Sequence, residues 1–287
     1  MRKIGRLLFM AWFFFKSGMT SKIRSILDEG IKCLHRLIIP YLIINLICLL
    51  IWCFWHFPIS GWEGVIDIVK QLFYNECLPL CYPLWFLLSL ALVRLVYISI
   101  LFLRINKIII LIVGLLLGKL MNVYSYEDNL LLNTNYIPFW VGNVFLGLFF
   151  YCLGDLLKNK QYSNVYFYIS IIVYIIHLFF PSYLDFNYNK SDFYILSVIY
   201  ATAGIIVYNN IFKRWLNIKI PLLTHIGQNS MIYYITHGTF FYLIFVVNTF
   251  ENTGWFLFIL TTLLTIVFLY AMKLFFCLKS FKWLIGG

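Results

Sequence analysis

Long apolar runs separated by short polar breaks dominate the chain. A membrane-spanning helix takes about 20 mostly apolar residues. Runs of about that kind extend from Leu37 to Trp55, Pro83 to Leu103, Ile108 to Asn122, Ile137 to Leu157, Val165 to Tyr183, Phe193 to Phe212, Ile226 to Val247 and Trp255 to Phe276. The third is short and its boundaries are soft. Pro83 suits the first turn of its helix, where a missing N–H costs little. A further apolar stretch, Leu7 to Phe15, is too short to span comfortably. The pattern predicts an all-α fold, a polytopic integral membrane helix bundle of about eight to nine transmembrane helices. No repeat and no low-complexity linker divides it, so residues 1–287 are expected to form a single domain.

Composition agrees. The 287 residues are 63% hydrophobic and 11% charged, whereas a soluble domain carries about 25% charged residues. So little charge cannot cover a water-facing surface, and lipid is the solvent that fits. Trp52, Trp55, Trp140 and Trp255 sit near run ends, as in an interfacial aromatic belt.

The formal net charge of +11 changes the picture only through its placement. Basic residues cluster in alternate loops. Lys16, Lys22, Arg24, Lys32 and Arg36 precede the first run, Arg104 and Lys107 follow the second, and Lys158 and Lys160 follow the fourth. Lys213, Arg214 and Lys219 follow the sixth, and Lys273, Lys279 and Lys282 lie at the end of the eighth and beyond it. The intervening loops hold Glu63, Asp67, Glu76, Glu127, Asp128, Asp185, Asp192 and Glu251. The positive-inside rule makes the basic loops cytoplasmic. One orientation then satisfies every run, with a cytoplasmic C-terminus in an inner (cytoplasmic) membrane. Topology accounts for the charge, so lipid and not nucleic acid is the expected partner. Leu7 to Phe15 breaks the pattern, being basic on both flanks. It either lies in or dips into the membrane, or lacks something upstream. No clear small-residue cleavage site marks it as a signal peptide.

Few residues offer chemistry. Cys48, Cys53, Cys152 and Cys277 lie in or near apolar runs and read as buried thiols. Cys77 and Cys81 read either as a disulfide in an oxidising compartment or as two free thiols. Neither fits a zinc spacing, and no metal site is expected. The five cations of residues 16–36 read as a topology signal that attracts anionic lipid, or as a site for a phosphorylated ligand, since guanidinium forks bind phosphate oxygens. Arg94 lies mid-run, where a charge costs at least about 2.5 kcal/mol. It therefore marks a functional group or an internal ion pair. His177 and His237 lie within runs. His177 reads as a hydrogen-bonded structural group, whereas Asn229, Tyr233 and His237 share one helix face, with Ser230 and Tyr234 in the adjoining row. That polar stripe fits a cavity wall or a transport path. No Walker loop, Gly-x-Ser-x-Gly elbow or His-Glu-x-x-His is present.

Four strings together carry a resemblance. Trp12-Phe-Phe-Phe-Lys-Ser-Gly-Met19, Arg36-Leu-Ile-Ile-Pro-Tyr41, Pro83-Leu-Trp-Phe-Leu-Leu-Ser-Leu90 and Ile226-Gly-Gln-Asn-Ser-Met-Ile-Tyr-Tyr-Ile-Thr-His237 resemble, in order and spacing, strings of membrane acyltransferase family 3 in its fucose O-acetylase-like branch. The resemblance implies an integral membrane O-acyltransferase that moves an acyl group, usually acetyl from acetyl-CoA, to a hydroxyl of a surface carbohydrate. It implies that Arg36 contacts CoA phosphates, and Lys32, Arg24 and Lys16 extend that basic set. His237 is the candidate base, Arg94 and Asn229 are candidate oxyanion donors, and Trp85, Ser230, Tyr233 and Tyr234 are candidate cavity walls. Acyl-CoA enters as co-substrate, with no tightly bound cofactor. Full-length relatives begin with another helix that ends in a histidine, which this chain does not match. The Phe-rich segment would then correspond to the second family helix. Rival readings are a carrier or polymerase for lipid-linked glycans and a truncated, non-catalytic paralogue.

Overall fold

The computed structural model describes residues 2–22, 25–75, 84–126, 139–158, 164–186, 190–214, 234, 266–268, 270, 271 and 274. Helix α1 covers Arg2–Met19 and α2 covers Ile26–Cys33, followed by a π-helical segment, Leu34–Ile38, and α3, Ile39–Asn75. Then come α4 (Trp85–Phe102), α5 (Lys107–Tyr126), α6 (Phe139–Leu157) and α7 (Asn164–Phe179). A small hairpin, β1 (Leu184–Asp185) and β2 (Lys190–Ser191), leads into α8 (Tyr194–Arg214). Its strands are antiparallel, with Leu184 opposite Ser191 and Asp185 opposite Lys190. The apolar runs up to Phe212 are therefore helices. The last two, Ile226–Val247 and Trp255–Phe276, lie almost wholly outside the described residues.

Among the described residues, three stretches are long and apolar enough to cross a membrane, Ile26–Phe54, Trp85–Phe102 and Tyr194–Lys213, while Gly142–Leu157 and Asn164–Phe179 are apolar but shorter. Large apolar side chains face outward along them, including Leu46, Leu50, Ile172, Ile176 and Ile199. Such an exposed apolar surface needs lipid around it. The protein is a multi-pass, all-α membrane helix bundle.

Local signals explain the helix ends. The Ser25 hydroxyl accepts the Asp28 N–H at 3.1 Å, capping α2. Asn106 Oδ1 accepts the Ile108 N–H at 3.0 Å and opens α5. Arg104, with φ 58°, ends the turn after α4. The basic segment expected to lead into the first span is thus itself largely helical, and the third run is a full 20-residue helix.

Two compact units make up the chain. The first joins Met1–Gly30 to Ser89–Ile218, and the second joins Ile31–Leu88 to Lys219–Gly287. In the first, α6 packs on α1 and α5, α7 packs on α8, and α1 also touches α8. The short Phe-rich stretch lies within the 18-residue α1, where Ala11, Phe14 and Phe15 are fully buried. Phe14 stacks on Phe186 at 5.7 Å, and Phe150 meets the same ring at 5.7 Å. Trp12 packs against Tyr208 and Phe212 of α8. In the second unit, α3 bends at Gly61, after Pro58.

Among the described cysteines, Cys53 and Cys152 are free. Cys48, expected to be a thiol, is disulfide-bonded, with its partner outside the described residues. Apolar context alone gave no sign of that partner. Cys77 and Cys81 also lie outside the described residues.

Candidate active site

The basic string around Arg36 sits on an unusual turn. Pro40 has no N–H to give the Arg36 carbonyl, and the Ile39 N–H instead reaches back five residues to Leu34 O. The helix widens there into a π turn, a feature frequent at functional sites. Cys33, Leu37 and Pro40 are buried, so they fix one face. His35 and Arg36 are exposed on the other, with Lys32 half-buried one turn earlier. Arg36 forms no ion pair among the described residues.

A second piece of the same unit brings two distant strings together. Trp85 is buried and meets Phe86 edge-on at 6.2 Å. Phe86 in turn meets the Tyr234 ring at 5.6 Å. Of the polar stripe, Tyr234 alone is described; Asn229, Ser230, Tyr233 and His237 lie outside the described residues, as does Arg24 of the basic set.

The first unit holds a buried charged network. Asp155, on α6, accepts from Tyr97 OH at 2.7 Å, Lys107 Nζ at 2.6 Å and Ser21 Oγ at 3.2 Å. The carboxylate is 4% exposed, so these donors replace its water. Lys158 Nζ donates to the Ser21 carbonyl, tying the end of α1 to the end of α6. Cys152 Sγ donates to Lys107 O at 3.2 Å. Nearby, Arg94 pairs with Glu29, which is 2% exposed. Of the two roles open to Arg94, the internal ion pair is therefore realised. Lys16 donates to Asn209 Oδ1 of α8, so it belongs to the first unit, whereas Lys32 and Arg36 belong to the second. His177 is fully buried, accepts from the Ser182 N–H at 3.4 Å and packs on Tyr200, in keeping with a structural histidine.

Sequence reasoning missed Asp155, Tyr97, Lys107 and Glu29. The signal for Asp155 was present, since it is the sole acid within the run from Ile137 to Leu157. The rule that singled out Arg94 applies equally to it. Tyr97→Phe removes one hydrogen bond to a charged group, worth about 1.5–3 kcal/mol. The expected result is a lower thermal midpoint of the purified protein in detergent. An unchanged midpoint would mean that the hydroxyl contributes nothing.

A helix bundle with apolar side chains facing outward and a buried ionic network defines a polytopic membrane protein. Residues 5–274 match the family described as acyltransferase domain, family 3. The match covers nearly the whole chain, which therefore belongs to the family 3 acyltransferases and is an acyltransferase enzyme. No curated protein and no solved structure matches it significantly.

Proposed function

We propose that the enzyme moves an acetyl group from acetyl-CoA to a hydroxyl of a surface or exported carbohydrate, with the CoA phosphates held at Arg36 and Lys32. The observation that supports this reading most directly is the exposed Arg36 guanidinium on the π turn, without an ion-pair partner among the described residues. A fork of N–H donors suits phosphate oxygens better than a point charge does.

The chemistry is acyl transfer. The sugar oxygen attacks the thioester carbonyl carbon, a C–O bond forms, the C–S bond breaks, and CoA leaves as its thiol carrying the proton the hydroxyl gives up. A hydroxyl needs a base to lose that proton near neutral pH, and His237 is the candidate because imidazole is the side chain best suited to that role. Charge developing on the thioester oxygen needs a donor, for which Asn229 is the candidate. Trp85, with Phe86 and Tyr234, would wall the acceptor side of the same unit.

Arg36→Ala is expected to raise KM for acetyl-CoA by about 10–100-fold, the equivalent of one charge-assisted contact. Arg36→Lys should recover part of the loss, keeping the charge without the fork. Initial rates with labelled acetyl-CoA in membranes of the full chain measure both. A KM unchanged by Arg36→Ala would overturn the phosphate role.

A further inference from the structure

The part of α3 beyond Gly61 has three distinct sides. Gly61 takes φ 59° and ψ −154°, a region open essentially to glycine alone, so the chain turns sharply there. In the helix that follows, Trp62, Val65, Ile66, Ile68, Val69 and Leu72 fall on one half of the circumference, and Glu63, Asp67, Lys70 and Gln71 fall on the other. The apolar half is itself divided. Ile68 is 5% exposed and packs inward, whereas Trp62 is 73%, Ile66 54% and Val69 46% exposed. The polar side is wet: Lys70 and Asp67 form an exposed pair at 3.2 Å.

We propose that this helix lies in the plane of the membrane surface, with Trp62, Ile66 and Val69 inserted at the boundary between headgroups and acyl chains. The occupant of that face is lipid, for two reasons. First, the face continues a lipid-facing flank: Leu46, Leu50, Phe54 and Phe57, on the span before the turn, are exposed in the same way, and the Trp62 ring meets Phe57 edge-on at 5.3 Å. Second, a helix with one strongly polar side, one packed side and one bare apolar side suits an interface in which water, protein and lipid meet. Tryptophan at the turn is the residue favoured at that depth. The polar side carries Glu63 and Asp67 against Lys70. Attachment therefore comes from apolar burial and not from attraction to anionic headgroups, and it is independent of the acyltransferase reading.

The test uses the full chain in vesicles of zwitterionic lipid, with the same lipid brominated high on its acyl chains as quencher. The difference in fluorescence between the wild type and Trp62→Phe isolates one indole of nine. That signal is expected to be blue-shifted, strongly quenched by the brominated lipid and weakly by aqueous acrylamide. The indole introduced by Glu63→Trp in the Trp62→Phe background should behave in the opposite way. Replacing a third of the lipid with an anionic one should leave both results unchanged. Quenching of Trp62 by acrylamide but not by lipid would place the helix in water. Quenching by neither would mean that protein, including a second copy of this chain, covers the face. Either result overturns the proposal.

Discussion

Gly154→Leu is expected to abolish recovery of folded protein, and Gly18→Val to do nearly the same. A Cβ on Gly154 would stand 2.0 Å from the Phe15 carbonyl oxygen, and one on Gly18 would stand 2.0 Å from that of Tyr151. Each glycine thus faces the backbone of the opposite helix, and the clash is with a carbonyl and not with a side chain that can rotate away. Small residues at such crossings let membrane helices approach closely, where packing and not hydrophobic drive holds them. Overpacking a core costs about 1–3 kcal/mol when neighbours can adjust; here α1 and α6 must separate. Separation also pulls Ser21 from Asp155 and Lys158 from Ser21, since both links bridge the same two helices. Gly30 is the control. Nothing lies within 4 Å of a Cβ built on it, and alanine is the better helix former by about 0.8–1 kcal/mol. Gly30→Ala should therefore leave the thermal midpoint unchanged or raise it. Size-exclusion profiles after graded heating in detergent compare all three variants. A monodisperse peak for Gly154→Leu with a wild-type midpoint would mean that the two helices do not cross at these glycines.

Arg94→Ala should be the most damaging single change outside the glycines. It leaves Glu29, 2% exposed, as a buried charge without its Arg94 partner. Removing one member of a buried pair costs about 3–5 kcal/mol, whereas replacing both by neutral groups of similar volume is often tolerated. Arg94→Met combined with Glu29→Gln should therefore be more stable than Arg94→Met alone, and that rescue is what distinguishes an ion pair from simple packing. Arg94→Met should lower the thermal midpoint, and the double substitution should reverse part of that loss. Additive losses in the double variant would show that the two side chains do not act on each other.

The helical bundle was legible because apolar runs of membrane length have few other uses. Arg94 was legible as well, since one cation in such a run must find a partner or water. What the runs could not show is which partner. Glu29 lies 65 positions away in sequence, and its own neighbourhood reads as the amphipathic start of a short capped helix. The packing of the Phe-rich stretch was hidden for a related reason. Its apolar core is short, but the helix extends through polar residues at both ends, and its burial comes from α6 and α8, not from its own length. Gly18 and Gly154 were legible only as small residues, because a close crossing is a property of two helices and neither sequence position announces the other. The Arg36 string was recognisable from its resemblance, whereas the π turn beneath it follows from Pro40, whose missing N–H was on the page from the start. The polar stripe from Asn229 to His237 rests on sequence alone, apart from the Tyr234 ring against Phe86.

The decisive experiment is transfer of labelled acetyl from acetyl-CoA to carbohydrate in vesicles containing the purified chain, with the product released by mild alkali as an ester should be. Label should appear in the carbohydrate only with the chain present, and should fall sharply with Arg36→Ala at limiting acetyl-CoA. Carbohydrate that stays unlabelled at saturating acetyl-CoA, with the protein folded and the acceptor present, would contradict the proposed acetyl transfer.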